Sequence, residues 1–287
     1  MNSGQSQGGS SQGVSLLVVV LTGLVASALL SGLALLVGGE RIPPVPPSGL
    51  RLSDLHPSLR PFRPGERLAY AFDWNGIPGA RAQMGLKEQV KDGIRWLLLQ
   101  YEGQTADEIA WAWRYRVSGE AYLDPQTLLP AVSIVTSTKG DRTKRSTTRF
   151  DRAAAMAETV TEKLYRNTRS TERQPFRHGL DLPTALLFLR TLELRLGQSL
   201  VMEVLHRDGA YAVTLTPRGT ETVQVKAGRF EAIVVDVRAR SLGADEPWPQ
   251  YQAVRIWISA RGRVPLKMEA LVPVGRVRAE LVSLEQQ

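Results

Sequence analysis

Two hydrophobic patterns divide this chain of 287 residues. Val14 to Val37 are 24 consecutive positions without a charged side chain, and as a helix they would extend roughly 36 Å. Beyond Pro64 the pattern changes to short runs in which apolar and polar residues alternate between turn residues. Alternation with a period of two is typical of half-buried β-strands. The patterns therefore predict one apolar helix followed by a β-rich domain.

The apolar run is long enough to cross a bilayer, whose hydrocarbon core is about 30 Å thick. The alternative is a signal peptide that is removed on export, which has a basic front, a shorter apolar centre and a terminal cleavage site. Residues 1–13 contain no Lys or Arg, and Ala26-Ser27-Ala28 lies inside the run. These features favour an uncleaved transmembrane helix, or signal anchor, over 14–37.

Four segments follow from these patterns: a disordered polar N-terminus (1–13), the transmembrane segment (14–37), a Pro-rich linker (38–60) and a β-rich domain (61–287). Four prolines within Ile42 to Pro47 favour an extended spacer between the bilayer and the folded part. In the β-rich part, Leu68, Tyr70, Phe72 and Trp74 alternate up to the turn dipeptide Asn75-Gly76. Many such short runs predict an antiparallel barrel or sandwich.

One stretch breaks the strand pattern and predicts a helix. Asp181 can cap it, Pro183 suits its first turn, and Gly197 is expected to end it. Its leucine-rich sequence is apolar almost all round, so we expect it to cover or plug the sheet. A second, weaker helical piece is predicted around Asp107 to Trp113.

Charge and cysteine content restrict the chemistry. The 36 Lys and Arg exceed the 28 Asp and Glu by eight, and this excess favours anionic partners such as lipid headgroups, polyanionic glycans or nucleic acid. There is no cysteine, so disulfides and thiolate metal sites are impossible. Only Arg41 and Arg51 lie near the apolar run, and by the positive-inside rule they favour a cytoplasmic location for the folded part.

The β-rich part resembles the bacterial domain-of-unknown-function 3108 family. The resemblance covers roughly Pro61 to Leu284 and rests on the order of several motifs: Phe62 to Tyr70, then Trp74, Gly76-Ile77 and Gly79, then Asp181, Leu186 to Arg190, Gly197, Val225 to Phe230, Val254 to Ser259 and Arg263-Val264-Pro265. It implies a curved antiparallel sheet. Together with the predicted helix, the expected fold is mainly β, a curved antiparallel sheet or partly open barrel with one covering helix. The resemblance also implies a Gram-negative envelope protein without an assigned activity or cofactor.

The resemblance also implies where the domain is located. Members of that family are usually exported, so the folded part should face the periplasm, and this outweighs the two-arginine argument. We therefore expect a single-pass inner-membrane protein with a periplasmic domain. Secretion into the periplasm after signal cleavage is the alternative.

Few residues suggest catalysis. The three histidines have no metal-site spacing, and the chain contains no HExxH, GxSxG, Walker loop or GxGxxG. His178 with Asp181 is a candidate acid–base pair, although a loop histidine before a helix cap explains the same residues. We predict no metal site and no cofactor.

Two groups of residues are candidates for ligand binding. Trp111, Trp113 and Tyr115 alternate, and on a strand they would line one face, either as an apolar groove or as core. A basic cluster includes Arg142, Lys144, Arg145 and Arg149, with Arg145 and Arg149 on one strand face and Arg142 and Lys144 on the other. These cations could bind anionic groups, or they could discourage edge-to-edge pairing of strands.

Three functions follow as hypotheses. The first is a non-enzymatic, membrane-anchored envelope protein that binds an amphiphile or another envelope component. The apolar part of an amphiphile would lie on the concave face and its anionic head on the basic hairpins. The second is a hydrolase of envelope glycans or lipids that uses His178 and Asp181. The third is a structural module that binds envelope proteins through sheet edges. Nucleic acid is not an expected partner.

Overall fold

The computed structural model describes residues 50–51, 59–206, 209–242, 252–272 and 275–286. The predicted membrane segment 14–37 and most of the predicted linker 38–60 lie outside these residues. Within the described ranges, no helix is both long and apolar enough to cross a membrane.

The described residues form sixteen strands and one α-helix. The helix α1 comprises Leu182–Leu189. The strands are β1 (Leu50–Arg51), β2 (Arg67–Trp74), β3 (Ile77–Lys91), β4 (Ile94–Thr105), β5 (Tyr115–Leu123), β6 (Pro130–Lys139), β7 (Arg142–Asp151), β8 (Met156–Lys163), β9 (Thr168–Pro175), β10 (Leu180–Asp181), β11 (Leu200–His206), β12 (Gly209–Val225), β13 (Gly228–Ser241), β14 (Gln252–Ser259), β15 (Pro265–Val272) and β16 (Gly275–Glu285).

All of these strands belong to one curved sheet. Its order is β1-β11-β12-β13-β14-β15-β16-β2-β3-β4-β5-β6-β7-β8-β9, and β10 pairs with β11. The pairings are antiparallel except that β1 and β10 lie parallel to β11. β9 lies at one end of this sheet order, and β10, which follows β9 in the chain, pairs with β11 near the other end. The sheet therefore curves until its two ends approach each other. The predicted mainly β fold, with a curved sheet and one helix, is confirmed.

The hairpin turns follow the local sequence. Asn75-Gly76 and Asp92-Gly93 both have positive φ at each residue (50° and 86°, 54° and 76°), as expected for tight turns between right-twisted strands. Leu68, Tyr70 and Phe72 are buried, which confirms the inward face predicted from their alternation.

Four local features differ from the strand pattern of the sequence. Leu164 to Thr171 alternates like one strand, but Leu164–Arg166 is a short 3-10 helix ended by Asn167 in the left-handed region at φ 49°, so β9 begins at Thr168. The runs Tyr211 to Thr216 and Thr222 to Lys226 predict two strands, but β12 is one strand. It passes Pro217 at a register shift, where a missing N–H donor is tolerated. β5 was not predicted as a strand, and β1 lies inside the predicted linker.

The helix α1 packs against the inner face of the sheet, which is the face that carries Leu86, Leu99 and Ala121. It begins as predicted: Asp181 accepts a hydrogen bond from the Thr184 backbone N–H at 3.0 Å, and the Thr184 hydroxyl completes a capping box. It ends at Leu189 and not near Gly197. The Thr191 hydroxyl donates to the Phe188 carbonyl at 2.7 Å, and such side-chain bonds compete with continuation of the helix.

A buried ion pair holds the C-terminal end of α1. The guanidinium of Arg190, which is 1% exposed, binds both carboxylate oxygens of Glu66, and the Nη2–Oε2 distance is 3.0 Å. Arg190 also donates to the carbonyls of Arg263 (3.1 Å) and Gly262 (3.4 Å). One side chain therefore joins the helix, the segment before β2 and the β14–β15 turn.

The same contact affects a neighbouring tyrosine. The Tyr70 hydroxyl donates to the Pro265 carbonyl at 2.9 Å. Burial raises the pKa of Tyr70, while the nearby Arg190 opposes that shift. The phenol therefore stays neutral and remains a hydrogen-bond donor at neutral pH.

Candidate functional site

Three connections lie together at one end of strands β4 to β9. They are the loop 106–114 between β4 and β5, the turn 140–141 between β6 and β7, and the 164–167 turn between β8 and β9. Neighbouring connections at one end are two strands apart, or about 10 Å. We call the side chains at these connections the aromatic–basic rim: the exposed Trp111, Lys139, Arg142, Leu164, Tyr165 and Arg166, and the half-buried Trp113.

The loop 106–114 consists of successive turns. Ile109 N–H donates to the Ala106 carbonyl and Ala112 N–H to the Ile109 carbonyl, both at 3.1 Å, so the predicted helix over 107–113 is absent. Trp111 is 87% exposed, and its indole N–H donates to the Glu108 carbonyl at 3.1 Å. The predicted row of Trp111, Trp113 and Tyr115 on one strand face is therefore wrong, because only Tyr115 belongs to a strand.

Aromatic rings and cations connect the rim. The Lys139 ammonium lies 3.9 Å from the centre of the Trp113 ring. The guanidinium groups of Arg142 and Arg166 lie 5.9 and 5.5 Å from the centre of the Tyr165 ring. These are cation–π distances. Within the described residues, no salt bridge involves any of these three cations, so their charge remains available to an external anion.

The pairing register divides the predicted basic cluster. Arg145 and Arg149 lie opposite Glu162 and Glu158 on β8, so each has a carboxylate as its cross-strand neighbour. Arg142 and Lys144 lie opposite Lys139 and Lys163, so these two face other cations. The predicted distribution over two faces is confirmed. Only Arg142 of the four belongs to the rim.

Asp181 acts as the cap of α1. Its Oδ1 accepts from the Thr184 N–H (3.0 Å) and hydroxyl (2.6 Å), and its Oδ2 accepts from the Ser133 hydroxyl. His178 lies in the loop before β10, and its carbonyl accepts from Arg152 at 3.0 Å. Capping of α1 therefore accounts for Asp181 without the acid–base role that the hydrolase hypothesis gives it.

We expect Asp181→Ala to lower the free energy of unfolding by about 1 kcal/mol, the usual cost of losing an N-cap. Asp181→Asn should retain most of the stability because an amide oxygen can still accept from Thr184. Chemical denaturation of the two variants checks this. Equal losses in both would show that the negative charge, and not the cap, is required.

Little space remains between α1 and the sheet. Two apolar cavities flank Leu182 and Leu186, with volumes of about 60 and 50 Å³. Sites for small molecules usually have roughly 300–1,000 Å³, so the helix leaves too little room there for the apolar part of an amphiphile. In the described ranges, no group of three or more His, Asp or Glu side chains could hold a metal ion.

One solved structure shares the fold, and a second matches with a low TM-score. A β-barrel-like protein of domain of unknown function DUF1849 from Brucella abortus is 11% identical, with a TM-score of 0.52, over 77% of this chain and 97% of that one. A Bacteroides fragilis protein with a YmcC-like fold is 9% identical, with a TM-score of 0.34, over 78% and 97%. No curated protein matches the sequence.

The first of these structural similarities is between folds alone, because the identity is so low. Similarity of sequence, in contrast, assigns the chain to a family. The family model described as "Protein of unknown function (DUF3108)" matches residues 69–282, which are most of the β-rich domain. The match begins within β2 and ends within β16, so it includes α1 and the aromatic–basic rim. The chain belongs to the DUF3108 family.

Proposed function

We propose that this protein is a non-enzymatic, membrane-anchored envelope protein whose aromatic–basic rim binds the headgroup region of an anionic membrane. The observation that carries this proposal is the joining of exposed aromatic side chains and unpaired cations at one end of the sheet. The predicted apolar segment 14–37 and the family resemblance support a location at the bacterial envelope, with the domain on the periplasmic side.

The rim has the chemistry of a membrane interface. Tryptophan and tyrosine are enriched where headgroups meet the hydrocarbon, because their rings are apolar and their N–H or O–H groups remain hydrated. Leu164, 59% exposed, would add apolar contact beside them. Each Lys or Arg near an anionic surface contributes about 1 kcal/mol. Lys139, Arg142 and Arg166 would therefore contribute about 3 kcal/mol together.

Attachment of the chain to the bilayer makes this modest binding free energy sufficient. Once segment 14–37 is in the bilayer, rim binding becomes intramolecular and depends on the linker length. The strand directions place the start of β1 at the end of the sheet opposite to the rim. The linker residues before β1, 38–49, would extend about 37 Å as polyproline II, enough to follow a strand of ten residues such as β6 or β7 back to the rim. The rim can then reach the bilayer. The bilayer supplies the apolar surroundings for which the cavities between α1 and the sheet are too small.

The absence of cysteine allows a direct test with single labels. Leu164→Cys on the rim and Val90→Cys at the opposite end, 69% exposed, each receive an environment-sensitive fluorophore. The full-length protein is then reconstituted in vesicles with or without phosphatidylglycerol. We expect the label at position 164 to shift to the blue and resist an aqueous quencher in anionic vesicles, and the label at position 90 to stay accessible.

Charge reversal distinguishes binding from mere proximity. Arg142→Glu with Arg166→Glu should make the label at position 164 accessible in anionic vesicles, while Arg195→Glu, on an exposed loop, should not. Equal quenching at positions 90 and 164, or protection that does not depend on the anionic lipid, would contradict the proposal.

A further inference from the structure

A cleft of about 500 Å³ crosses the outer face of the sheet, opposite to the face that packs α1. Its volume lies within the usual range of ligand sites. One row of its lining side chains follows successive cross-strand neighbours from β3 to β7: Gln83, Glu102, Ser118, Thr136 and Arg145. Five adjacent strands extend about 19 Å, so the row is elongated and runs across the strands.

A second row lies beside the first on the same face. It follows the neighbours Arg67, Gly85, Gln100, Glu120 and Ile134 from β2 to β6. Gly85 has no side chain to fill the floor, and a Cβ there would lie 3.1 Å from the Glu66 carbonyl oxygen. The cleft is therefore long and lined mainly by polar side chains, with the apolar groups of Met84, Tyr101 and Ile134 among them.

Two amide–carboxylate pairs in the cleft are hydrogen-bonded. Gln100 Nε2 donates to Glu120 Oε1 at 2.7 Å, and Gln83 donates to Glu102 in the same way. These planar amide and carboxylate groups present donors and acceptors side by side. Arg67 and Arg145 balance Glu102 and Glu120, so the formal charge of the four side chains is zero. A charged ligand of either sign would lie against two like charges.

We propose that this cleft binds an uncharged glycan segment laid across strands β3 to β6. A chain of hydroxyl groups can donate to carboxylates and accept from amide and guanidinium groups along its length. An acyl chain would desolvate the polar rows without forming hydrogen bonds, and strand addition is excluded because these strands are paired on both sides. The site does not use the aromatic–basic rim.

Defined oligosaccharides test the proposal. Full-length protein in a detergent without a sugar headgroup is titrated with neutral hexasaccharides of N-acetylglucosamine, β-1,4-glucose and α-1,4-glucose, and with a hexamer of galacturonate. We expect at least one neutral hexamer to bind, and Gln100→Ala and Glu120→Ala each to weaken that binding at least tenfold. Lys87→Ala, on β3 and exposed but outside the lining, is the matched control.

Three outcomes would overturn the proposal. One is that none of the neutral hexamers binds while the melting temperature shows a folded protein. Another is that a neutral hexamer binds equally well to the Gln100 and Glu120 variants. The third is that only the galacturonate hexamer binds and that Arg67→Ala and Arg145→Ala abolish its binding, which would make the cleft an anion site. Because rim labels are not involved, each result is independent of membrane binding.

Discussion

Replacing Arg190 with methionine should lower the free energy of unfolding by about 3–5 kcal/mol, the usual cost of breaking a buried ion pair. Methionine retains much of the apolar stem, but the Glu66 carboxylate, 2% exposed, would remain buried without its cation. The carbonyls of Gly262 and Arg263 would lose a donor as well. Urea denaturation of the full-length protein in detergent, followed by tryptophan fluorescence, measures this loss.

The double variant Glu66→Leu with Arg190→Met should be more stable than Arg190→Met alone. Two apolar side chains leave no uncompensated charge, and such replacements are often close to neutral. The matched control is Arg195→Met, which breaks an exposed pair with Glu193 at 2.8 Å. We expect this control to change stability by no more than about 1 kcal/mol. Additive losses in the double variant would show that the ion pair does not couple these residues.

Trp257→Ala should cost about 3–5 kcal/mol, as large-to-small changes of buried aromatic residues usually do. Trp257 is 6% exposed and belongs to a core cluster with Val223, Val225 and Val234. Its indole N–H donates to Glu221, and the Lys267 ammonium lies 4.5 Å from the centre of its ring. Urea denaturation followed by circular dichroism measures the loss without relying on the indole.

Trp111→Ala is the matched control, because it removes the same side chain from a position that is 87% exposed. We expect a change within about 0.5 kcal/mol. Trp257→Phe separates packing from hydrogen bonding: Glu221 is exposed and can bind water instead, so loss of this bond should cost about 0.5–1.5 kcal/mol. If Trp257→Ala unfolded at the same urea concentration as the unchanged protein, the core cluster of Val223, Val225 and Val234 would not depend on this side chain.

The rim shows where local patterns mislead. Trp111, Trp113 and Tyr115 alternate in sequence as strand residues do, but the i→i−3 hydrogen bonds of Ile109, Ala110 and Ala112 bend the chain before β5 begins. Asp107 and Glu108 also lie near Arg81, at 3.9 and 3.8 Å. Alternation with a period of two places side chains on one face only if the backbone is extended. The turns and the contacts to Arg81 on β3 mean that the backbone of this loop is not extended.

The basic cluster shows a different limit. Alternation along β7 was sufficient to predict that Arg145 and Arg149 lie on one face and Arg142 on the other. Which of them has a carboxylate opposite depends on the register with β8. Register is a relation between two strands, so a single strand does not contain it. The outer-face cleft was missed for the same reason, because each of its strands contributes at most three lining residues.

The amino-acid sequence alone determined the features that depend on neighbouring residues. Asn75-Gly76 and Asp92-Gly93 close hairpins because these residues tolerate positive φ, and Asp181 with Thr184 starts α1 because short polar side chains satisfy its first N–H groups. The tertiary structure decided the strand order, the partner of Arg190 and the two rows of the cleft. Those depend on residues far apart in the chain, such as Glu66 and Arg190, which meet only when the sheet curves around the helix.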